Sequence, residues 1–197
     1  MYNFREEKRV IHQLNSNEKK QILLTFDDGP SKYLDRFLDV LANENVPAMF
    51  FWQSRLLHYK RPWQRVLTEG HKIGTHSHRH LNLVKLPFEQ QMSELKKSKE
   101  IIERITGQEV KFFRPPFGQY NEDTLEAVSQ LGMKLVMWNI SSYDWNLKSE
   151  PEIITNNITE HIQDHSIILL HELEQTLTIL PSVIKHLKEK GYHFTTI

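Results

Sequence analysis

Short apolar runs alternate with longer amphipathic stretches along this chain, and the alternation predicts its secondary structure. Several of the runs are apolar throughout, as expected for strands that are covered on both faces. Seven runs of apolar and β-branched residues predict strands, at residues 22–26, 48–52, 72–76, 110–113, 134–138, 166–170 and 193–197.

The stretches between the strands carry helical periodicity, most clearly at residues 87–106. In that segment the apolar side chains recur near 3.6-residue spacing, at Phe88, Met92, Leu95, Ile102 and Ile105. Pro87 suits the first turn of a helix, and Gly107 suits the position just past its end. Two further helices, each followed by a glycine, are predicted around residues 126–131 and 177–190.

Strands that alternate with helices predict an α/β fold with a largely parallel sheet. Seven strands can form an open doubly wound sheet or a barrel, and periodicity does not choose between them. A length of 197 residues indicates one domain. We expect an N-terminal extension at residues 1–20 and a single domain at residues 21–197.

Composition and charge exclude several classes of protein. Lys and Arg together number 25, as do Asp and Glu, so the balanced charge argues against a nucleic-acid partner. The chain has no cysteine, which excludes disulfides, thiolate ligands and a cysteine nucleophile. No apolar run approaches the 18 residues of a membrane span. The first 20 residues lack the apolar core of a signal peptide, so we expect either a protein inside the cell or one whose leader was removed.

Candidate metal ligands lie at two of the predicted strand ends. His76 and His80 are four residues apart, so in a helical turn both imidazoles would share one face and bind one metal ion. Asp27 and Asp28 follow the first predicted strand, where one carboxylate can complete the site while the other stays free. Taken alone, the histidine pair need not be a site, and the Asp-Asp-Gly-Pro segment is also compatible with a simple turn. We interpret His71 as a structural residue.

Other chemically active side chains also follow predicted strands. In parallel α/β folds the catalytic groups collect at the carboxyl ends of the strands. Arg114 follows the fourth strand and His171 the sixth, while Asp144 comes a short loop after the fifth. Taken alone, Arg114 is also compatible with a surface loop, and Trp145 with the core.

Together these segments resemble the signatures of the polysaccharide deacetylase family, the NodB homology domain of carbohydrate esterase family four. Five segments, in the family's order, carry the resemblance: Thr25-Phe26-Asp27-Asp28-Gly29-Pro30, His76-Ser77-x-x-His80, Arg114-Pro115-Pro116-Phe117-Gly118, Asp144-Trp145 and Leu169-Leu170-His171.

The resemblance implies a metal-dependent hydrolase on a distorted (β/α) barrel of about seven parallel strands. It also implies a role for each matching residue, with Asp28, His76 and His80 as metal ligands. Asp27 would be the general base, held ionised by Arg114, and His171 the general acid, tuned by Asp144. Trp145 and Leu169 would form walls of the acetyl pocket.

The chemistry of amide hydrolysis is consistent with these roles. The reaction needs an activated water, a stabilised oxyanion and a proton for the leaving nitrogen. The backbone N–H of Phe117 is the expected oxyanion donor, because the two prolines before it have none. An ionised Asp27 and a protonated His171 predict a bell-shaped dependence of rate on pH. Two imidazoles and one carboxylate suit Zn²⁺, and they also accept Co²⁺, Ni²⁺ or Mn²⁺.

Three positions depart from the family's pattern, and several substrates fit the site. Phe117 stands where tyrosine is frequent, and Glu172 stands where aspartate is common. Ser141 stands where the family commonly has an acidic residue, which leaves a contact near the site in doubt. The leading hypothesis is removal of acetyl groups from an N-acetylated glycan, peptidoglycan or chitin-type N-acetylglucosamine. That substrate class suggests the cell envelope or the exterior if a leader was removed, and the cytoplasm otherwise. The alternatives are hydrolysis of O-acetyl xylan or a small amide, and a saccharide-binding protein without catalysis.

Overall fold

The computed structural model of the protein describes residues 9–197. The described strands are β1 (Val10–Ile11), β2 (Gln21–Gly29), β3 (Met49–Trp52), β4 (Lys72–Thr75), β5 (Phe112–Phe113), β6 (Lys134–Val136), β7 (Ile140–Ser141), β8 (Ile167–His171) and β9 (His193–Phe194). The described helices are α1 (Leu34–Asn43), α2 (Trp63–Thr68), α3 (Phe88–Thr106), α4 (Glu122–Gln130), α5 (Pro151–Thr159) and α6 (Glu174–Glu189).

The strands form a parallel sheet that curls into an open barrel. The order across the sheet is β1-β6-β5-β4-β3-β2-β8-β7, and every described pairing is parallel. β9 pairs with the first residues of β2. Among the described residues no ladder joins β1 to β7, so the barrel is not closed by hydrogen bonds there. The expected distorted (β/α) barrel is confirmed, and all seven predicted strands are present.

Proline, glycine and asparagine residues mark helix ends in this chain. α3 ends at Gly107, which has φ 70° and whose N–H donates to the carbonyl of Glu103. Pro87 is the residue before the first turn of α3 rather than part of it. α4 and α6 begin three to four residues earlier than the periodicity predicts, at Glu122 and Glu174. Asn121 caps α4 by accepting a hydrogen bond from the backbone N–H of Thr124.

Alternate residues of β2 face the two sides of the sheet. Ile22, Leu24 and Phe26 belong to the large core between the sheet and the helices. Leu23 belongs to a second, smaller cluster of buried side chains, which includes Phe51 of the neighbouring strand β3. Because side chains alternate along a strand, Thr25 and Asp27 continue the row that Leu23 begins. The barrel interior is therefore apolar at one end and polar where β2 ends.

Part of the predicted N-terminal extension pairs with the sheet. Val10 and Ile11 lie opposite Leu135 and Val136 of β6 and form an edge strand. Residues 1–8 lie outside the described residues, and the boundary at residue 21 stays a prediction. None of the helices in the described part of the chain has the length and hydropathy needed to cross a bilayer.

Candidate active site

A bulge at the end of β2 directs two neighbouring carboxylates to one point. Asp27 pairs with Phe51 of β3, but the next paired residue is Gly29, so Asp28 is the extra residue of the strand. Asp28 has a left-handed backbone, with φ 67°. In a regular strand neighbouring side chains face opposite sides. Here Asp27 Oδ2 and Asp28 Oδ1 each lie 3.8 Å from His76 Nε2.

The two candidate histidines come together in an irregular loop after β4. We predicted a helical turn, and this is wrong, because Ser77 and His80 have left-handed backbones with φ 67° and 58°. The N–H of His80 donates to Ser77 Oγ at 3.0 Å, which closes the loop. The ring centroids of His76 and His80 are 4.9 Å apart. The four-residue spacing therefore brings the imidazoles together without a helix.

Asp28, His76 and His80 form a cluster with the dimensions of a metal site. Their candidate ligand atoms all lie within 4.8 Å of one another. Asp28 Oδ1 is 3.3 Å from His80 Nε2, close to the ligand separation of about 3.3 Å that a tetrahedral zinc site requires. His76 Nδ1 lies 2.7 Å from the carbonyl oxygen of Arg114. Because that oxygen can only accept, Nδ1 carries the proton and Nε2 presents its lone pair to the cluster.

Electrostatics keep the Asp28 carboxylate ready to bind a cation. Burial raises the pKa of Asp28, but the charges of the nearby imidazoles and a hydrogen bond from Gln53 outweigh this effect and lower the pKa below its usual value. Burial lowers the pKa of His80, which favours its neutral, ligating form. A carboxylate and two neutral imidazoles are the donor set of many catalytic zinc sites. These residues therefore fit a divalent metal.

Arg114 is fully buried behind Asp27, which excludes a surface loop. Its Nη1 donates to Asp27 Oδ1 at 2.9 Å and to Thr25 Oγ1 at 2.6 Å. Its Nε and Nη2 donate to backbone carbonyls of residues 136 and 137, and the guanidinium lies 4.2 Å from the ring centroid of Phe51. With every side of the guanidinium contacted, Asp27 is fixed in position and paired with a positive charge.

His171 and Asp144 form a second buried pair at the end of β8. His171 Nδ1 lies 2.7 Å from Asp144 Oδ1, and the backbone N–H of His171 donates to Oδ2 of the same carboxylate at 2.8 Å. Burial alone would lower the pKa of His171. The hydrogen bond and the charge of Asp144 outweigh the effect of burial, so the pKa of His171 lies above its usual value. The pair is therefore suited to hold His171 protonated, with Nε2 free to face the metal cluster.

A cavity of about 400 Å³ collects these groups at the carboxyl ends of the strands. Eight of the ten predicted site residues line it, and the other two, Arg114 and Asp144, lie behind it. Two larger cavities, of about 780 and 620 Å³, have no grouped metal ligands among the described residues. The eight lining residues are Asp27, Asp28, His76, His80, Phe117, Trp145, Leu169 and His171.

Aromatic rings form both walls of this cavity. Phe117 is 60% exposed and lies with its ring 4.7 Å from that of His80. On the other side the ring of Trp145 lies 5.1 Å from that of His171, and Leu169 is buried between the strands. Sequence reasoning gave no role to Trp138, which also lines the cavity, or to Tyr143, whose ring is 5.2 Å from Trp145. Both stand in the segment that precedes Asp144.

Two further polar residues beside the site were not predicted. Gln53 donates from Nε2 to Asp28 Oδ1 at 2.8 Å. Glu172 is buried below the Asp27–Gly29 segment, where it accepts hydrogen bonds from the backbone N–H of Ser31 and from Trp52 Nε1, at 2.7 and 2.9 Å. Burial raises the pKa of Glu172 to about 7. Both residues directly follow a strand end, which is the signal that identified the other site residues.

Three remaining residues lie outside the chemistry of the cluster. Ser141 is in β7, and its buried hydroxyl has no hydrogen-bond partner within residues 9–197. His78 Nδ1 lies 2.8 Å from Ser54 Oγ, in a structural contact. His71 is buried, and burial lowers its pKa to about 4, so it is neutral at pH 7. A cation is favoured just after a helix end, but at His71 desolvation is the larger effect.

Comparison with known proteins gives one family. The family model described as "Polysaccharide deacetylase" matches residues 14–136. This range contains Asp27, Asp28, His76, His80 and Arg114, while Asp144 and His171 lie beyond it.

The curated relatives include peptidoglycan deacetylases. A peptidoglycan-N-acetylglucosamine deacetylase of Bacillus cereus strain ATCC 14579 is 33% identical over 186 residues, covering 91% of this chain and 67% of the relative. The peptidoglycan-N-acetylmuramic acid deacetylase PdaC of Bacillus subtilis strain 168 is 31% identical over 182 residues, covering 91% of this chain and 38% of the relative.

Solved structures share the fold. The peptidoglycan N-acetylglucosamine deacetylase Bc1960, bound to a hydroxamate, superposes with a TM-score of 0.88 and 32% identity, covering 96% of this chain and 91% of that one. A pseudoenzyme of carbohydrate esterase family four from Bacillus anthracis superposes with a TM-score of 0.85 and 28% identity, covering 94% of this chain and 66% of that one. The same fold therefore occurs in active and inactive proteins. Whether a protein of this fold is active depends on its site residues.

Proposed function

Because the chain belongs to the polysaccharide deacetylase family, we propose that it hydrolyses the acetamido group of an N-acetylated glycan, releasing acetate and a free amine. N-acetylglucosamine of peptidoglycan is the proposed substrate, since the relative from Bacillus cereus is named for that activity. We expect the protein to act at the cell envelope, where that polymer lies. The observation that carries the proposal is the placement of a carboxylate, a histidine and a three-ligand cluster around one cavity.

Asp28, His76 and His80 are the proposed ligands of a divalent metal, and Zn²⁺ is the proposed ion. Their separations and the fixed tautomer of His76 support this choice. When bound at such a site, a divalent metal lowers the pKa of a coordinated water and polarises a carbonyl group. Co²⁺, Ni²⁺ and Mn²⁺ accept the same donors.

Asp27 is the proposed general base. It lines the cavity and lies within 3.8 Å of the His76 nitrogen that faces the cluster, so it can reach a water held there. Its other oxygen accepts the hydrogen bond from Arg114, which stabilises the ionised form and leaves Oδ2 to take the proton. The proton passes from the attacking water to Asp27 while the oxygen of that water bonds to the acetyl carbon.

His171 is the proposed general acid. Asp27 and His171 are paired in the β2–β8 ladder, so base and acid lie on neighbouring strands at one rim of the cavity. Asp144 holds His171 Nδ1, which leaves Nε2–H to protonate the amide nitrogen as the carbon–nitrogen bond breaks. The products are acetic acid and an amine, which become acetate and an ammonium group when the acid passes its proton to the amine. The proton taken by Asp27 replaces the one that His171 gives up.

The walls of the cavity suit the acetyl group. Phe117 follows two prolines and has φ 61°, and its backbone N–H is the proposed donor to the oxyanion. Trp145 and Leu169 supply apolar surface on the opposite wall for the acetyl methyl group. A cavity of about 400 Å³ has room for one sugar residue with its acetamido group.

The test is release of acetate from N-acetylglucosamine oligomers and peptidoglycan fragments. Metal-stripped protein is compared with the same protein reconstituted with Zn²⁺ or Co²⁺, and acetate and free amine are both quantified. We expect release only after reconstitution, with peptidoglycan fragments preferred.

Each other outcome assigns a different function. Cleavage of O-acetyl xylan or small acetamides, with the sugars left intact, would keep the hydrolytic site and overturn the glycan N-deacetylase. Tight binding of oligomers without acetate release under any metal would indicate a saccharide-binding protein without catalysis. Metal-independent release would overturn the metal site.

A further inference from the structure

A single turn after β3 contacts both loops that carry the candidate metal ligands. The turn is residues 53–55. The backbone N–H of Gln53 donates to the carbonyl of Gly29 at 2.8 Å, next to Asp28. The N–H of Ser54 and that of Arg55 donate to the carbonyls of residues 77 and 78 in the histidine loop, at 3.2 and 3.3 Å. The spacing between the aspartate and the histidines is thus set by one short segment.

The side chain of Gln53 contacts a ligand atom directly. Gln53 is buried, with 6% of its surface exposed, and its Nε2 donates to Asp28 Oδ1 at 2.8 Å. That oxygen is the one 3.3 Å from His80 Nε2. The hydrogen bond therefore acts on the oxygen that would bind the metal, not on the distal oxygen of the carboxylate.

Arg55 fixes the orientation of the Gln53 amide. Arg55 Nε donates to Gln53 Oε1 at 3.0 Å. The reverse amide orientation would place the NH₂ group against the guanidinium and the carbonyl oxygen against the Asp28 carboxylate, so both contacts would be repulsive. Guanidinium, amide and carboxylate thus form a directed chain in which each donor meets an acceptor.

Asp28 needs such support because its own conformation does not hold it. It is the extra residue of a bulge with φ 67°, and 39% of its side chain is exposed. A non-glycine residue in this region is strained and persists only where its surroundings fix it. Neutral His76 and His80 present lone pairs to the carboxylate and do not attract it, and His171 Nε2, at 3.9 Å from Asp28 Oδ2, is beyond hydrogen-bond distance.

We propose that Gln53, held by Arg55, is a positioning residue that keeps the Asp28 carboxylate in its metal-binding orientation and so increases the affinity of the site for a divalent cation. The inference rests on the proposed function, because it presumes that the cluster binds a metal. A hydrogen bond to a ligand oxygen also withdraws charge from it, which opposes binding. Asp28 is partly exposed and lies on a strained bulge. For such a carboxylate the gain in metal affinity from a fixed orientation is larger than the loss from charge withdrawal.

The experiment measures the Zn²⁺ dissociation constant of the full chain by competition with a chromophoric chelator. Gln53→Met removes the hydrogen-bond donor at similar volume. Arg55→Met, at an exposed position, removes the hydrogen bond that orients the Gln53 amide. The matched control is Gln91→Met, since Gln91 is also buried but bonds to the carbonyl of Leu86 and to the side chain of Asn121. The melting temperature of each metal-free variant reports its structural effect.

We expect Gln53→Met to weaken Zn²⁺ binding about 10-fold and Arg55→Met to weaken it less, with no further loss in the double variant. The Zn²⁺ concentration that gives half-maximal acetate release should rise by the same factor as the dissociation constant in each variant. Gln91→Met should melt earlier yet bind Zn²⁺ as the wild type does.

The remaining outcomes overturn the proposal. Equal affinity in Gln53→Met and wild type would remove the positioning role and leave the proposed function intact. A loss in Gln91→Met as large as that in Gln53→Met would make the effect one of stability alone. If Gln53→Met does not fold, unchanged affinity in Arg55→Met overturns the proposal by itself. Wild-type protein that binds no Zn²⁺ would overturn the proposed metal site first, and this inference with it.

Discussion

Asp144 holds His171 at two points, its ring and its backbone. One carboxylate oxygen lies 2.7 Å from Nδ1, and the other accepts the backbone N–H at 2.8 Å and a hydrogen bond from Thr176 Oγ1. An ionised carboxylate has no proton to donate, so Nδ1 carries a hydrogen and Nε2 is left to face the cavity. The ring can neither rotate nor change tautomer without breaking the pair.

The first prediction concerns this pair. Asp144→Asn removes the charge that stabilises the imidazolium and can turn an amide NH₂ toward Nδ1, so His171 loses its role as proton donor. We expect kcat for acetate release to fall about 10²-fold, with Zn²⁺ still bound, because no proposed ligand is changed. Asp164→Asn, at an exposed aspartate, is the control. Unchanged kcat in Asp144→Asn would remove His171 from the mechanism.

The second prediction separates the base from the metal site. Asp27→Asn keeps an oxygen that can accept from Arg114 but cannot take a proton from water. We expect a loss of at least about 10²-fold in kcat, while elemental analysis still finds one Zn²⁺ per chain. A variant that loses its metal together with its activity would make Asp27 a ligand, and one that keeps its activity would contradict the role of base.

The chain itself made most of the site predictable. Asp27, His76, Arg114 and His171 each lie at the end of a predicted strand or directly after it, and parallel strands bring those ends to one rim of the barrel. The order of the five signatures then indicated a role for each. The structure places eight of the ten predicted residues around one cavity and the other two behind it.

What the sequence could not show depends on local backbone geometry. The bulge at Asp28 and the left-handed His80 leave no periodic signal, so the histidines were expected in a helical turn. Strands β1 and β7 have two residues each, too few for a period. Gln53 reaches Asp28 only because the bulge redirects the carboxylate, and no spacing along the chain encodes that contact.

The third prediction tests the packing below the aspartates. A Cβ on Gly29 would lie 1.7 Å from Glu172 Oε1 and 2.8 Å from Trp52 Cδ1, so Gly29→Ala forces a buried carboxylate and an indole apart. We expect a loss of about 2–3 kcal/mol in the free energy of unfolding, measured by urea denaturation. In Glu172→Asp the side chain is shorter and leaves space for the new Cβ. The double variant Gly29→Ala with Glu172→Asp should therefore lose less unfolding free energy than the two single variants added together.

A control separates this clash from the general cost of replacing a glycine. Gly107 has φ 70° and open space around its Cβ position, so Gly107→Ala should cost only about 1 kcal/mol, from backbone strain. Equal losses in Gly29→Ala and Gly107→Ala, or additive losses in the double variant, would show that Glu172 does not pack tightly under this turn.

The last prediction concerns the dependence of stability on pH. His71 is buried, its Nδ1 accepts the backbone N–H of Ala48 at 3.1 Å, and burial lowers its pKa from 6.5 to about 4. Between these two values the unfolded chain binds a proton that the folded chain does not. The free energy of unfolding must therefore fall as the pH drops from about 6.5 to about 4, with the contribution of His71 fully present above pH 6.5.

His71→Asn removes this titration, since the amide has no proton to gain. The difference in unfolding free energy between pH 7 and pH 4.5 should shrink by about 2 kcal/mol relative to the wild type. His58→Asn, at an exposed histidine, is the matched control because it leaves His71 in place. Urea denaturation at both pH values measures the difference. An unchanged pH dependence in His71→Asn would mean that His71 is solvated enough to accept a proton in the folded state.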